Sequence, residues 1–436
     1  MTGLGLLDYN IRLMRTIGLW PLDRPSKPLL VVNYVYTTLL VSSLAVVSVC
    51  QIVEIFFSPN IAAMASAIDL ATLTASALFK MIYIQYYHHH FQRLVDKVDA
   101  TFVERDSFDG SFCIFNWVKY SKIVIIAYVT LGGPTLFVVG AIFPYIIPQH
   151  FQRYQTDVED YKYLAHPYRK RMFPFNCWFP FDVTWSPLYE IVYVFETLSL
   201  VASGQIYLVS DSLFFMIIYL VCGQLELMKR SYKSMEDNVA PNTMVHYLTE
   251  DGYEDSTAIS LISPHILGTK LNEMEKEAAT KRNVKSYVDF HCKLIEIMKD
   301  LDTLLRSLVV VDFIHAVVSL SFATFQAFTL ITWPETLQML LFIAVSVTHQ
   351  FLNNFFAEIL IQKQLSVAEA VYGTPWMEST SLHQTLVYMT LNQANHPTRI
   401  SGWKMYHLGL STFVDFMKLL GSYALVIQSL QVNEEG

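Results

Sequence analysis

The chain is a series of long apolar runs parted by short polar breaks. Val31 to Phe57 is almost continuously apolar, and Ser58-Pro59-Asn60 turns the chain tightly after it. Ile61 to Tyr87 forms a second run, followed by a polar stretch over 88–120. A third run, Ser121 to Ile147, carries Gly132-Gly133-Pro134 as a kink. A loop rich in aromatics and proline covers 148–186. The fourth run, Pro187 to Leu225, is about twice the roughly 20 residues that cross a bilayer, so it is expected to tilt or to project into solvent. A charged segment, 226–302, turns helical from about Glu273 and leads toward a fifth run, Thr303 to Thr332. Trp333-Pro334-Glu335 turns into the sixth, Thr336 to Ile361, and the segment 362–407 leads to a last run, Leu408 to Leu430, with a tail over 431–436. Ahead of all this, residues 1–30 mix Leu4, Leu6, Leu7, Ile11, Met14 and Ile17 with Arg12 and Arg15, the pattern of an amphipathic arm lying on a membrane surface.

The last run differs from the others. At 100° per residue, Ser411, Asp415, Lys418, Ser422, Val426 and Ser429 share one narrow stripe. Phe413, Phe416, Leu420, Ala424 and Ile427 lie opposite. Lipid cannot satisfy a polar stripe, so this helix requires water or protein against it. Two readings stand. The stripe lines a pore that a ring of Val426 side chains closes by dewetting, or it packs against neighbours inside a single bundle.

Composition narrows the class. Hydrophobic residues make up 53% of the chain and charged residues 16%, against about 25% in an ordinary globular protein. The expected fold is an all-α membrane protein with seven transmembrane helices and a cytoplasmic helical anchor. Inside-facing segments carry 22 Lys and Arg, counting Lys122 at the edge of the third run, and outside-facing segments five if the N-terminus is cytoplasmic and the C-terminus extracellular, so the positive-inside rule selects that orientation. It is opposite to that of G-protein-coupled receptors. The third run also has no Cys, and the last has no NPxxY-like end. Related halves of the transporter kind are not visible. GxSxG, HExxH and GxxxxGK are all missing, so no enzyme activity and no cofactor are expected. The net charge of −8 argues against nucleic acid as a partner.

Few residues carry obvious chemistry. His88-His89-His90 cannot converge on one metal ion, because successive helical residues point about 100° apart. Lys80, Asp211, Asp312 and Glu358 lie in or near spans, where ionisable groups are functional candidates by default; plain interhelical pairing is the competing account. Cys50 and Cys177 both approach the outer face, which leaves a disulfide open.

Three stretches near the C-terminus, AEAVYGTPWME (368–378), ISGWKMYHLGLSTF (400–413) and SYALVIQSL (422–430), together resemble the end of an insect odorant receptor. The middle agrees: Cys177-Trp178-Phe179-Pro180-Phe181-Asp182 and Ser186-Pro187-Leu188-Tyr189-Glu190 resemble that family's entry into the fourth span. The resemblance implies a ligand-gated, non-selective cation channel opened by small volatile apolar odorants. It implies a tetramer in the plasma membrane, in the dendrites of sensory neurons, with the seventh span around a central pore and residues 363–404 in an anchor domain. Aligned on Tyr423, Val426 would be the gate, with Ser429 and Leu430 just outside it and Ser422, Lys418 and Asp415 along the pore. The chain ends SYALVIQSLQVNEEG rather than in the TYFMVLVQLK-like terminus of the common coreceptor. It is therefore read as a ligand-tuned subunit that forms a heterotetramer with that coreceptor and needs no G protein. The alternatives are a gustatory receptor of the same superfamily, or a metabotropic seven-span receptor or transporter.

The family binds ligand inside the helical bundle, in a pocket with apolar walls and one or two polar groups. At the corresponding depth the candidate residues are Thr72, Ser76 and Phe79 on span two, Thr130, Gly133 and Phe137 on span three, Tyr193, Thr197, Leu198 and Val201 on span four, and Phe342 and Ser346 on span six. Each also fits ordinary core packing. Glu190 and Glu196 would suit a ligand that hydrogen-bonds or carries an amine.

Overall fold

A computed structural model describes residues 8–22, 26–58, 61–103, 173, 177–183, 187–236, 268–329, 333–373, 376–378 and 381–435. The third run, with Thr130, Gly133 and Phe137, lies outside them.

The described elements are helical apart from one tiny hairpin. They are α1 (Asp8–Thr16), α2 (Lys27–Phe57), α3 (Ile61–Tyr86), α4 (His88–Val103), α5 (Leu188–Glu236), α6 (Gly268–Thr329) and α7 (Trp333–Tyr372). A single 3-10 turn (Trp376–Glu378), α8 (Ser381–Asn395), β1 (Ser401–Gly402), β2 (Tyr406–His407) and α9 (Leu410–Glu435) complete the series. Pro28 opens α2, where its missing N–H is not needed. Among the described residues five helices, α2, α3, α5, α6 and α7, are long and apolar enough to cross a membrane.

α5 is the axis of the bundle. Its apolar window is 94% buried, whereas that of α2 is 22% buried and faces outward. At about 1.5 Å per residue, the 49 residues of α5 run about 74 Å and the 62 of α6 about 93 Å. A bilayer with its headgroups is about 40–45 Å thick. Both helices therefore continue well past the membrane, and α6 passes without a break from the charged segment into the apolar one. The main core gathers Leu213, Met216, Leu220 and Leu225 of α5 with Leu294, Leu301 and Leu308 of α6 and Leu360 of α7.

The N-terminal arm packs its apolar face on the bundle: Ile11 and Met14 of α1, with Leu19 and Trp20 after it, are buried in the core. Asn10 Nδ2 donates to the Ser212 carbonyl of α5 at 2.9 Å, and Gln85 Nε2 of α3 donates to the Gly18 carbonyl at 2.8 Å. Gly18 has φ +77°, which lets the chain reverse between α1 and Leu19.

Candidate functional site

A seam of polar contacts runs down α3. Its members, Ser66, Asp69, Thr72, Ser76, Lys80 and Tyr83, recur every three or four residues and so share one face. α6 passes antiparallel and supplies most of the partners. Ser66 Oγ donates to Gln326 Oε1 at 3.1 Å, and Ser319 Oγ donates to the Asp69 carboxylate. The Thr72 hydroxyl lies 3.2 Å from His315 Nδ1. Tyr207 of α5 donates its phenol to Ser76. Toward the C-terminal end of α3, Tyr83 donates to the Leu304 carbonyl at 3.1 Å. Such contacts hold helices in register where there is no water to compete.

Lys80 is the deepest element of the seam. Its side chain is 0% exposed, and its ammonium sits 2.7 Å from Asp211 Oδ1 of α5 and 2.9 Å from Asp312 Oδ1 of α6. The other Asp211 oxygen takes His349 Nε2 of α7 at 2.5 Å. The Tyr207 ring covers the ammonium, with its centroid 4.0 Å away. One cation thus joins α3, α5 and α6, and His349 adds α7. Pairing is what the structure gives for three of the four flagged ionisable residues. His349, Asp69 and His315 were not singled out in the sequence, because only helix register reveals their partners.

The fourth flagged residue, Glu358, sits where α9 begins. Its Oε2 accepts the Leu410 N–H at 3.3 Å, and Asn354 Oδ1 accepts the Gly409 N–H at 3.1 Å. A carboxylate at a helix N-terminus meets the positive end of the dipole. The strap before it, residues 396–409, is clamped to both α6 and α7. Gln364 of α7 pairs with the backbone of Thr398 through two 2.9 Å bonds. Asp302 of α6 accepts the Ser401 N–H at 2.7 Å and its hydroxyl at 2.9 Å. Tyr406 donates to the Val309 carbonyl at 2.8 Å. The turn of the hairpin puts Trp403 and Lys404 at φ 49° and 61°, and Gly402 faces the Tyr406 ring so closely that a Cβ there would meet it at 2.4 Å.

α9 turns its two sides as its periodicity requires. Phe416 is buried against Ala316 and Leu320 of α6. Ser411, Asp415, Lys418, Ser422 and Val426 are exposed, Val426 to 55%. Lys418 Nζ donates to Asp415 Oδ1 at 3.0 Å within the same helix. The side chains of Ser429 and Leu430 are outside the described set.

The outer candidate residues are only partly gathered. Thr72 and Ser76 lie in the seam. Tyr193 is half-buried beside Tyr189, and Thr197 donates to the Tyr193 carbonyl at 2.8 Å. Val201, Phe342 and Ser346 are half-buried. Leu198 is 63% exposed and turned outward, because its α5 neighbours Glu196, Ser199 and Leu200 take the inward face. Phe79 is also at the surface, stacked on Tyr83. Cys50 and Cys177 are free thiols rather than a disulfide. Burial, and then the Glu196 carboxylate nearby, push the Cys177 thiol well above its ordinary range. Among the described residues no group of three His, Cys, Asp or Glu is placed to hold a metal ion.

Comparison with known proteins agrees with this architecture. The family described as 7tm Odorant receptor matches residues 60–421. Putative odorant receptor 85d of Drosophila melanogaster is 19% identical over 266 residues, covering 61% of this chain and 56% of that protein. Odorant receptor 83a of Drosophila melanogaster is 19% identical over 291 residues, covering 62% and 64%. The matches thus span less than two thirds of those relatives. The insect olfactory receptor OR5 from Machilis hrabei, in complex with eugenol, superposes with a TM-score of 0.72 over 97% of both chains at 13% identity. A second structure of the same receptor gives 0.71 at 14% identity, again over 97% of each. The family match covers most of the chain, from the start of α3 into α9, and this membrane-spanning helical protein belongs to the insect-type odorant receptor family, which is not a family of enzymes.

Proposed function

We propose that the chain is the ligand-tuned subunit of a ligand-gated, non-selective cation channel, opened by small volatile apolar odorants. It spans the plasma membrane of sensory dendrites seven times, with its N-terminus cytoplasmic and its C-terminus outside. It assembles with the common coreceptor as a heterotetramer, and α9 of each subunit lines the pore. The observation that carries this reading is the exposure of α9: one side packs on α6, while Ser411, Asp415, Lys418, Ser422 and Val426 are solvent-exposed in the single chain. Within a membrane that stripe calls for an aqueous path, and Val426 is its apolar interruption.

The route from ligand to gate is mechanical. Odorant enters among the outer residues Thr72, Ser76, Tyr193, Thr197, Val201, Phe342 and Ser346, with Thr130, Gly133 and Phe137 contributed by span three. The complex of the Machilis hrabei receptor with eugenol supports a small-molecule ligand here. The ligand biases gating only by the difference in its affinity for the closed and open arrangements. Helices α6 and α7 carry that bias to the strap, and the strap delivers it to the first turn of α9.

Recording currents from cells that express the chain with the coreceptor, under G-protein block and across a panel of volatiles, tests the proposal. A cation current that survives the block, and opens at lower odorant concentration in Val426→Ala, is the expected result. Currents abolished by the block remove the channel reading. Unchanged gating in Val426→Ala places the constriction elsewhere.

A further inference from the structure

The tip of the strap hairpin carries side chains that its backbone does not favour. Met405 donates its N–H to the Gly402 carbonyl at 2.9 Å, which closes a tight turn on Trp403 and Lys404 at φ 49° and 61°. Two successive positive φ values are the mark of a type I′ hairpin turn, where Asn and Gly fit with least strain. Trp and Lys sit there instead. Backbone strain of this kind gathers at functional positions.

What the tip presents is apolar and cationic together. Trp403 is 56% exposed and Met405 79% exposed. Lys404 and, at the base of the hairpin, Arg399 are exposed as well, and neither makes an ion pair among the described residues. The acidic groups beside the strap are committed: Asp302 to Ser401 and Arg306, Glu358 to the Leu410 N–H and Gln362. The hairpin therefore carries positive charge that these acids do not balance.

Its depth is set by α6. Trp403 Nε1 donates to Ser307 Oγ at 3.2 Å, and Ser307 also meets the Tyr83 phenol. Trp403 is thus level with the C-terminal turns of α3, where Tyr86 is 77% exposed. Aromatic rings gather at headgroup depth, and a Trp beside a Lys suits that boundary, with the apolar body in the bilayer and the charge toward phosphate. In the proposed orientation, on which this inference rests for its choice of leaflet, that end of α3 faces the cytoplasm. Anionic lipids collect on that side.

We infer that the hairpin tip docks on anionic phospholipid headgroups of the cytoplasmic leaflet. Trp403 and Met405 enter the interface, and Lys404 and Arg399 meet the phosphates. The strap continues from this tip to Gly409 and Leu410, so headgroups that hold it restrain the first turn of α9.

Lipid retention tests the inference with no current, no odorant and no leaflet asymmetry, so its failure is separable from failure of the channel or of the orientation. The full chain in mild detergent is mixed with equal amounts of phosphatidylserine and phosphatidylcholine and read by native mass spectrometry. Retention of phosphatidylserine at least threefold over phosphatidylcholine is expected. Trp403→Asn with Lys404→Gly puts favoured residues at the turn. That variant should tolerate heat at least as well as wild type, yet its lipid preference should fall at least twofold. If loss of the Ser307 bond loosens the chain, Arg399→Gln with Lys404→Gln decides, because it leaves the backbone and the Trp403 contact in place; its preference should also fall at least twofold. Equal retention of the two lipids by wild type overturns the site, as does a preference unchanged in these variants. Glycerophosphoserine, which has no acyl chains, should not displace the lipid at equal concentration; displacement would assign the cations to free phosphate and overturn the membrane reading. A wild-type dimer that both variants abolish would assign the tip to a second copy of the chain and overturn it likewise.

Discussion

Glu358 on α7 accepts a hydrogen bond from the backbone N–H of Leu410, the first residue of α9, 3.3 Å away. Asn354, one turn earlier, holds the Gly409 N–H. Loss of a side chain that satisfies a helix N-terminus costs about 0.5–2 kcal/mol. Glu358→Ala and Asn354→Ala should each lower the heat tolerance of the purified receptor, read as the monodisperse fraction after graded heating. Glu358→Gln, which keeps an acceptor and loses only the charge, should lower it less. Equal losses for Gln and Ala would assign the whole effect to charge.

Lys80 is the residue whose removal should do most harm. Lys80→Met leaves Asp211 and Asp312 facing each other in a dry interior, and breaking such a buried pair costs about 3–5 kcal/mol. Surface expression should fall several-fold. Lys80→Met combined with Asp211→Asn and Asp312→Asn should recover much of the loss, since it removes the stranded charges as well. A triple variant no better than the single would show that the cluster contributes more than charge balance.

Lys97, seventeen residues on, makes a useful contrast. It pairs with Glu296 at 2.7 Å and Asp300 at 2.6 Å, but its side chain is 42% exposed. Exposed pairs contribute about 0–1 kcal/mol. Lys97→Ala should be nearly silent in the same heating assay. The hydrogen bonds it donates to Asp300 and then to Glu296 raise its pKa above the ordinary 10.5. A raised lysine pKa means the stabilisation is complete below 10.5 and lost only as pH climbs through the folded value, so no change between about pH 5 and 9 is expected from this group.

One glycine of the strap and one of α9 differ in the space around them. A Cβ on Gly402 would meet the Tyr406 ring at 2.4 Å, whereas one on Gly421 meets nothing within 4 Å. Gly402→Ala should lower stability by about 1–3 kcal/mol through overpacking. Gly421→Ala should be harmless in an isolated chain and gain up to about 1 kcal/mol of helix propensity. If Gly421→Ala instead impairs the assembled channel while the separate chain stays intact, a neighbouring subunit packs against that position.

Much of this was legible in the residues. The stripe on α9 follows from a 100° period, and Phe416 and Val426 lie on the sides it assigns. Lys80, Asp211 and Asp312 stood out as charges in apolar runs, but their pairing depends on the offset between α3, α5 and α6, which no single run records. Polar residues such as Asp69, His315 and His349 gave no signal of their own, since each looks like an isolated interruption. The α1 arm shows the limit of amphipathicity: Ile11 and Met14 mark an apolar face, but that face does not say whether lipid or protein covers it. The hairpin at 401–407 escaped notice because two-residue strands carry no alternation, and Trp403 and Lys404 adopt φ values that their residue types do not favour.

α6 has one more consequence. Beyond Gly268 it contains neither glycine nor proline in its remaining length, so nothing in it invites a kink. Ser319, in the seam, and Asp302, on the strap, are seventeen residues apart on this one rod, about 26 Å. A stiff rod cannot absorb a tilt locally; it works as a tiller, where a small swing at the outer handle becomes a sideways displacement at the inner blade. Inserting a hinge between those two residues, as Val310→Gly with Val311→Gly would, should leave odorant binding in place and disconnect it from the pore.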